Sequence, residues 1–166
     1  GDKESSMDVI LENADRLEHK VKSLLYLNRL DYLSAEESEL KPFPIKDLIE
    51  HIVMQMEAMQ HIHIETDLDD VAFIGNEEHW RVAIENIIDN ASRYMKSVIM
   101  ITLKKDTLII YNDGDPIDED KKEDLFNPYV KGVKGQFGLG LSIVAKIADM
   151  YGYDIHAENK DPGVAF

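Results

Sequence analysis

The run from Gly135 to Leu141, Gly-Gln-Phe-Gly-Leu-Gly-Leu, constrains the fold of this chain more than any other segment. It ends a loop and opens an apolar stretch whose spacing predicts a helix over 138–151. Gly138 and Gly140 lack the Cβ atoms that keep an anion off the backbone, and the free N–H groups of a first helical turn lie at the positive end of its dipole. The run therefore predicts a phosphate-binding loop, with close helix packing as the alternative.

A second group of polar residues lies upstream, on a helix predicted over 77–95. Apolar residues recur there at three- and four-residue steps and give the helix a core-facing side. At about 100° per residue, Asn86, Asn90 and Arg93 fall within roughly 60° of one another on a separate stripe. Two amide oxygens and a guanidinium on one stripe can ligate Mg²⁺ and bind phosphate oxygens. A solvated face with incidental asparagines is the alternative for each residue taken singly.

A polar turn, Asn112–Ile117, follows a predicted strand. A short polar side chain at the end of a buried strand can accept the exocyclic amine of adenine, and a neighbouring glycine lets the ring approach. The same residues are also typical of an ordinary turn. Next along the chain, residues 125–134 contain Phe126, Lys131 and Lys134 in a stretch that we expect to form a flexible lid.

In this order, the four segments resemble the motifs of the ATP-binding catalytic domain of sensor histidine kinases, within the wider group that also contains gyrase and MutL. The resemblance covers residues 40–166. It identifies an N box in 85–94, a first glycine box in 112–117, an F box around Phe126 and a second glycine box in 135–141. Four motifs in the family's order are far more specific than any one of them.

The resemblance implies an α+β fold, a two-layer α/β sandwich of the Bergerat type with a long N-terminal helix, and ATP and Mg²⁺ as cofactors. It implies Asn86 and Asn90 as metal ligands, Arg93 near the terminal phosphates as the third catalytic residue, and Tyr94 against the adenine. The implied nucleotide-binding residues are Asn86, Asn90, Arg93, Tyr94, Asn112, Asp113, Gly114, Ile117, Phe126, Lys131, Lys134, Gly135, Phe137, Gly138, Leu139, Gly140 and Leu141. Gly138 and Gly140 are implied as the hinge of the lid.

Two positions depart from the family's pattern. Asn112 stands where an Asp is usual, and Pro116 where a second Gly is usual. An Asn can still accept the adenine amine through its carbonyl oxygen and donate to an adjacent ring nitrogen, with Asp113 as the alternative acceptor. Pro116 makes the loop stiffer. These departures keep open the alternative of a degenerate, non-catalytic dimerisation adaptor.

Asn86 also separates activities within the group, because the hydrolytic branches carry Glu at this position. A carboxylate there can polarise a water, whereas an amide cannot take a proton. We therefore expect ATP to be held for transfer to a histidine on another element, since phosphoryl transfer depends mainly on positioning and charge neutralisation. A serine kinase or ATPase of the same group is the alternative.

The N-terminal residues predict a long helix over 6–34 whose apolar residues follow heptad spacing. It resembles the second helix of a histidine kinase dimerisation domain, which divides the chain into 1–36 and a catalytic domain at 37–166. A helix that packs on its own domain is the alternative. None of the six histidines has the His-Glu-x-x-x-Pro context of the family's phosphoacceptor. We therefore expect the acceptor helix to lie outside this chain, in a kinase that forms a homodimer and acts on a response regulator.

The amino-acid composition limits the kinds of partner that the chain can bind. Lys and Arg number 18 against 33 Asp and Glu, a formal charge of −15, so nucleic acid and acidic membrane surfaces are repelled. The absence of cysteine suits a reducing cytoplasm. No apolar run approaches the roughly 20 residues of a membrane span. We expect a cytoplasmic domain, attached to a membrane only through segments absent from this chain.

The remaining patterns predict a mixed sheet covered on one face by helices. We expect strands near 40–44, 62–66, 71–74, 97–104, 107–112 and 153–158, with a final strand after a turn at 162–163. We expect helices over 45–59, 77–95, 118–125 and 138–151.

Overall fold

The computed structural model describes residues 10, 14, 17, 18, 21–30, 40–126, 138–160 and 163–166. Residues 21–30 are helical and form α1. The other helices are α2 (Ile45–Gln60), α3 (Glu77–Tyr94) and α4 (Gly138–Met150), with a 3-10 helix over Glu119–Asp124. The strands are β1 (Pro42–Pro44), β2 (Ile64–Leu68), β3 (Ala72–Ile74), β4 (Ile99–Lys104), β5 (Thr107–Asn112), β6 (Glu158–Lys160) and β7 (Gly163–Ala165).

Five of these strands form one mixed sheet in the order β2-β4-β5-β7-β6. The β2–β4 pair is parallel and the other pairs are antiparallel. Strands β1 and β3 form a separate antiparallel pair. The register places one residue from each strand of the large sheet in a single row, and directly paired residues share a face. From β2 to β6 the row reads Ile64, Ile99, Asn112, Val164 and Asn159.

The helices cover one face of the sheet. On β4, Ile99, Ile101 and Leu103 are buried, whereas Met100 between them is exposed. This alternation is typical of an antiparallel sheet that packs against the core on one side only. Helix α3 contacts α2, α4 and β5, so it lies at the centre of the helical layer. The predicted two-layer α/β sandwich is confirmed.

Helix α3 begins and ends where its sequence favours it. Asn76 caps the N-terminus, because its Oδ1 accepts from the backbone N–H groups of Glu78 at 2.8 Å and His79 at 3.3 Å. The acidic side chains of the first turn lie at the positive end of the helix dipole. At the other end, the Met95 N–H donates to the Ala91 carbonyl in an extended conformation that stops the helix.

The strand predicted over 153–158 is wrong for 153–157, since the strand begins at Glu158. Packing explains the difference. The ring of Tyr153 stacks on Phe73 with centroids 4.9 Å apart, and its hydroxyl accepts from the Ile74 N–H at 3.0 Å. The Tyr153 N–H donates to the carbonyl of Ala148 in α4. These contacts hold the backbone close to α4 and away from the sheet.

The end of α1 joins the same core. Leu27 and Leu30 are buried in the cluster that also contains residues of α2, α3 and α4. Val21, Leu24 and Leu25 of the same helix are exposed. The division of the chain at residues 36 and 37 stays a prediction. Among the described residues, no helix has the length and apolar character to cross a membrane.

Candidate functional site

Two motifs predicted to bind phosphate meet where α3 contacts α4. The Asn86 side chain donates from Nδ2 to the Val82 carbonyl one turn earlier, at 2.7 Å. A Cβ built on Gly140, in the first turn of α4, would lie 3.0 Å from Asn86 Oδ1. A side chain at position 140 would therefore press on the Asn86 amide, and glycine leaves the space open.

Asn90 lies one turn after Asn86 and is only 7% exposed. Its Oδ1 is fully buried and has no hydrogen-bond partner among the residues that the structure describes. A buried acceptor without a partner costs about 1–3 kcal/mol, so such groups call for an explanation. An amide oxygen is also a ligand that Mg²⁺ accepts. The orphaned oxygen therefore fits a metal ligand.

The acidic and histidine side chains of the described residues do not form a metal site of their own. Within the described ranges, no cluster of three or more His, Cys, Asp or Glu side chains is placed to hold a metal ion. A cation held by the amide oxygens of Asn86 and Asn90 would need its remaining ligands from water and from the oxygens of bound phosphate. This is how Mg²⁺ is commonly held beside substrate phosphates.

Arg93 extends from the last turn of α3 toward solvent. Its Nη2 lies 3.0 Å from Asp89 Oδ2, and about half of the Arg93 side chain is exposed, at 51%. Exposed pairs of this kind contribute little to stability, because solvent screens the charges and two long side chains must be ordered. The guanidinium can leave Asp89 for a more highly charged anion at low cost.

Asn112 is the last residue of β5, and its side chain stabilises the turn that follows. It is 1% exposed, and its Oδ1 accepts from the Gly114 N–H at 2.9 Å. A Cβ built on Gly114 would lie only 2.0 Å from the backbone oxygen of Tyr94, at the end of α3. Glycine is therefore required where this loop packs on the helix. Tyr94 itself is half-buried, and burial raises the pKa of its hydroxyl.

Asp113 holds the connection between α3 and β4. Its carboxylate accepts from the backbone N–H groups of Lys96 at 2.8 Å, Ser97 at 3.0 Å and Val98 at 3.2 Å, and from the Ser97 hydroxyl. The Ser97 hydroxyl, followed by these N–H groups, holds the pKa of Asp113 well below its usual range. The Asp113 carboxylate is occupied by these donors, whereas Asn112 Oδ1 accepts from the Gly114 N–H and keeps a second lone pair for the adenine amine.

Asn159 is a residue that sequence reasoning missed. It lies on the edge strand β6, and its Oδ1 accepts from the Ile117 N–H while its Nδ2 donates to the Ile117 carbonyl, each at 2.8 Å. These two hydrogen bonds hold Ile117, at the end of the loop that begins at Asn112. No local pattern in the sequence signals a contact between residues 42 positions apart.

The other predicted site residues divide between described and undescribed parts of the chain. Gly138 and Leu139 open α4, and Leu141, two positions after Leu139, is buried. Phe126 is half-buried after the 3-10 helix. Residues 127–134 of the predicted lid, with Lys131 and Lys134, and also Gly135 and Phe137, lie outside the described residues.

The chain is similar to known proteins over these same elements. The family model described as histidine kinase-, DNA gyrase B-, and HSP90-like ATPase matches residues 75–165, more than half of the chain. The sensor histidine kinase CssS of Bacillus subtilis (strain 168) is 37% identical over 172 residues, covering 100% of this chain and 38% of CssS. The sensor protein QseC of Escherichia coli (strain K12) is 28% identical over 160 residues, covering 90% of this chain and 35% of QseC. The chain thus spans less than two-fifths of the length of either relative.

Solved structures agree with these relatives. The catalytic domain of histidine kinase ThkA is similar with a TM-score of 0.69 and 28% identity, covering 77% of this chain and 93% of that one. Histidine kinase ThkA in complex with the response regulator protein TrrA is similar with a TM-score of 0.73 and 26% identity, covering 96% of this chain and 48% of that one.

Proposed function

The chain belongs to the family of histidine kinase-, DNA gyrase B-, and HSP90-like ATPases, and on this premise we propose that it is the ATP-binding catalytic part of a sensor histidine kinase. It binds ATP and donates the terminal phosphate to a histidine on a dimerisation helix outside this chain. The observation that carries the proposal is the contact of Asn86 with Gly140, one helical turn before Asn90 and its orphaned Oδ1. The N box and the second glycine box form one site there.

Asn86 and Asn90 are the residues that would hold Mg²⁺, and the metal when bound would neutralise phosphate charge. The protein needs that neutralisation, because its formal charge of −15 opposes a polyanionic ligand. The N-terminus of α4 adds backbone N–H groups at the positive end of its dipole. Arg93, released from Asp89, supplies a cation beside the phosphates.

The adenine side of the site is assigned to Asn112, Gly114 and Tyr94. Asn112 is buried at the end of β5, and Gly114 leaves no side chain between the loop and Tyr94. Ile117 and Phe126 lie farther along the same segment. Lys131, Lys134, Gly135 and Phe137 keep their predicted place beside the nucleotide on the sequence pattern alone.

The chemistry expected of this site is transfer rather than hydrolysis. Asn86 donates its amide N–H to Val82 and is uncharged, so it cannot accept a proton from water. Phosphoryl transfer from such a site depends on a nucleophile brought in line by another element.

The partners follow from the same assignment. A structure of the relative ThkA includes a response regulator, and we assign a response regulator to this protein as the next phosphate acceptor. The exposed Val21, Leu24 and Leu25 of α1 suit a second helix, as in a homodimer. We place the domain in the cytoplasm.

Calorimetric titration with a non-hydrolysable ATP analogue, with and without Mg²⁺, tests the proposal. The wild-type chain should bind the analogue with Mg²⁺, and Asn90→Ala should weaken binding by about tenfold or more, because a methyl group cannot replace an amide oxygen on a hard cation. Asn28→Ala, on the exposed side of α1, is the matched control and should bind like wild type. No binding by the wild-type chain would favour the adaptor, and equal binding by Asn90→Ala would exclude the assigned metal ligand.

A further inference from the structure

Asn159 grips the backbone of Ile117 with both halves of its side-chain amide. The Ile117 N–H donates to Oδ1 and the Ile117 carbonyl accepts from Nδ2, both at 2.8 Å. These are the two bonds that a neighbouring strand would make, supplied here by one side chain. An amide provides a donor and an acceptor at this spacing, whereas a carboxylate only accepts.

The sheet register explains how Asn159 reaches the loop. Asn112 pairs with Val164 of β7, and Val164 pairs with Asn159 of β6, so the two asparagines lie in one row and share a face. Adjacent strands are about 4.8 Å apart, which separates the two by about 10 Å across β7. The loop that leaves Asn112 therefore ends on the same row, two strands away.

Strand β6 is an edge strand that pairs with β7 in the described sheet. Its outer residues, Glu158 and Lys160, are exposed and pair with each other, with 3.0 Å between Lys160 Nζ and Glu158 Oε2. Asn159 between them is half-buried and turns to the opposite face. Neither exposed residue can substitute for it, because successive side chains of a strand point to opposite faces.

The loop from Asn112 to Ile117 is thus held by hydrogen bonds at both ends and in its middle. The Asn112 side chain caps Gly114, the Asp113 carboxylate binds the connection from Lys96 to Val98, and Asn159 fixes Ile117. Pro116, directly before Ile117, restricts the backbone further. A loop ordered before binding loses less conformational entropy when a ligand binds.

We propose that Asn159 is a positioning residue of the nucleotide site, which holds Ile117 so that the adenine side of the loop from Asn112 to Ile117 is formed before the nucleotide arrives. The inference rests on the proposed function. It adds a residue that contacts the loop and acts on the nucleotide only through it.

The experiment measures Asn159→Ala, Asn159→Asp and the matched control Glu158→Gln in the full chain. Asn159→Ala should weaken binding of the ATP analogue and of ADP equally, by about tenfold, since two hydrogen bonds to the loop are lost. The loss should be the same with and without Mg²⁺, which separates it from the metal-dependent loss expected of Asn90→Ala. Asn159→Asp should also weaken binding, because its oxygen would face the Ile117 carbonyl. Glu158→Gln should bind like wild type.

Amide hydrogen exchange of the nucleotide-free chain gives a second readout. The Ile117 amide should exchange at least tenfold faster in Asn159→Ala than in Glu158→Gln, while amides in the middle of α3 keep their protection. Should Asn159→Ala fail to fold, Asn159→Asp carries both measurements. If the wild-type chain binds the analogue and the Asn159 variants bind it with unchanged affinity, or if exchange at Ile117 is unchanged in them, this inference alone is overturned. No nucleotide binding by wild type would overturn the proposed function and the inference with it.

Discussion

Asn86 and Gly140 face each other across the contact between α3 and α4, where a Cβ at position 140 would lie 3.0 Å from Asn86 Oδ1. The two residues are 54 positions apart in the chain, and each belongs to a motif that is weak alone. Their contact turns two stretches of sequence into one site. The Asn86 amide cannot easily move aside, because its Nδ2 is bonded to Val82.

We predict that Gly140→Ala weakens binding of the ATP analogue by about three- to tenfold, with little change in the free energy of unfolding. The added methyl pushes on Asn86, whereas replacing Gly by Ala in a helix favours folding by up to about 1 kcal/mol, and the two effects oppose each other. Calorimetry and urea unfolding measure them separately. In an Asn86→Ala background the same substitution should become stabilising, since the obstructing amide is gone. No stabilisation by Gly140→Ala in that background would contradict the assigned contact.

Gly114→Ala should destabilise the fold by about 2–3 kcal/mol or more. The new Cβ would lie 2.0 Å from the Tyr94 backbone oxygen, and neither the loop nor the end of α3 can yield as a flexible side chain can. Urea unfolding provides the measurement, with Gly140→Ala as a control that keeps its stability. Wild-type stability in Gly114→Ala would mean that the loop does not pack on α3 in this way.

Asp113 gives the fold an acid-sensitive anchor. Its pKa is lowered in the folded state, so its contribution is fully present above the unfolded pKa of about 3.9 and is lost as pH falls toward the folded value. We expect Asp113→Asn to cost about 1–2 kcal/mol at pH 7 through weakened hydrogen bonds, and less at pH 3. Urea unfolding at both pH values checks this, with the exposed Asp115→Asn as control. An equal cost at both values would show that the charge of Asp113 is not involved.

The sequence predicts most helices and central strands of this fold, because periodic apolar residues determine which face of each is buried. Helix α3 and strand β5 end within one residue of their predicted limits. The strand predicted over 153–158 fails, because Tyr153 packs on Phe73 rather than in a sheet. Whether Tyr153 packs on Phe73 or pairs in a strand depends on tertiary contacts, which the local sequence does not show.

The candidate site is predictable to the extent that its residues form local motifs. Asn86, Asn90 and Asn112 each stand in a recognisable segment. Asp113 and Asn159, in contrast, act through long-range hydrogen bonds. The Asp113 side chain binds backbone groups 15 to 17 residues away, and the Asn159 side chain binds backbone groups 42 residues away. Such bonds leave no periodicity or spacing in the sequence, so only the three-dimensional arrangement shows them.

Leu30→Ala should destabilise the described fold by about 2–5 kcal/mol, because Leu30 is 1% exposed and belongs to the core shared with α2, α3 and α4. Leu25→Ala, on the exposed side of the same helix at 63%, should change stability by no more than about 0.5 kcal/mol. Thermal and urea unfolding compare the two variants. Equal small effects would show that α1 folds independently of the catalytic domain, whereas the expected contrast would place its end inside that domain's core.

The last prediction concerns phosphate transfer. With labelled ATP, this chain should show neither label on its own histidines nor appreciable phosphate release. Asn86 cannot act as a base toward water, and no histidine of the chain stands in the family's acceptor context. A longer chain that includes the acceptor helix should become labelled on that helix, and Asn90→Ala in the longer chain should abolish the label, because the donor phosphate is then poorly held. Label on any of the six histidines of this chain would refute the assignment of the acceptor, and rapid phosphate release would identify an ATPase instead.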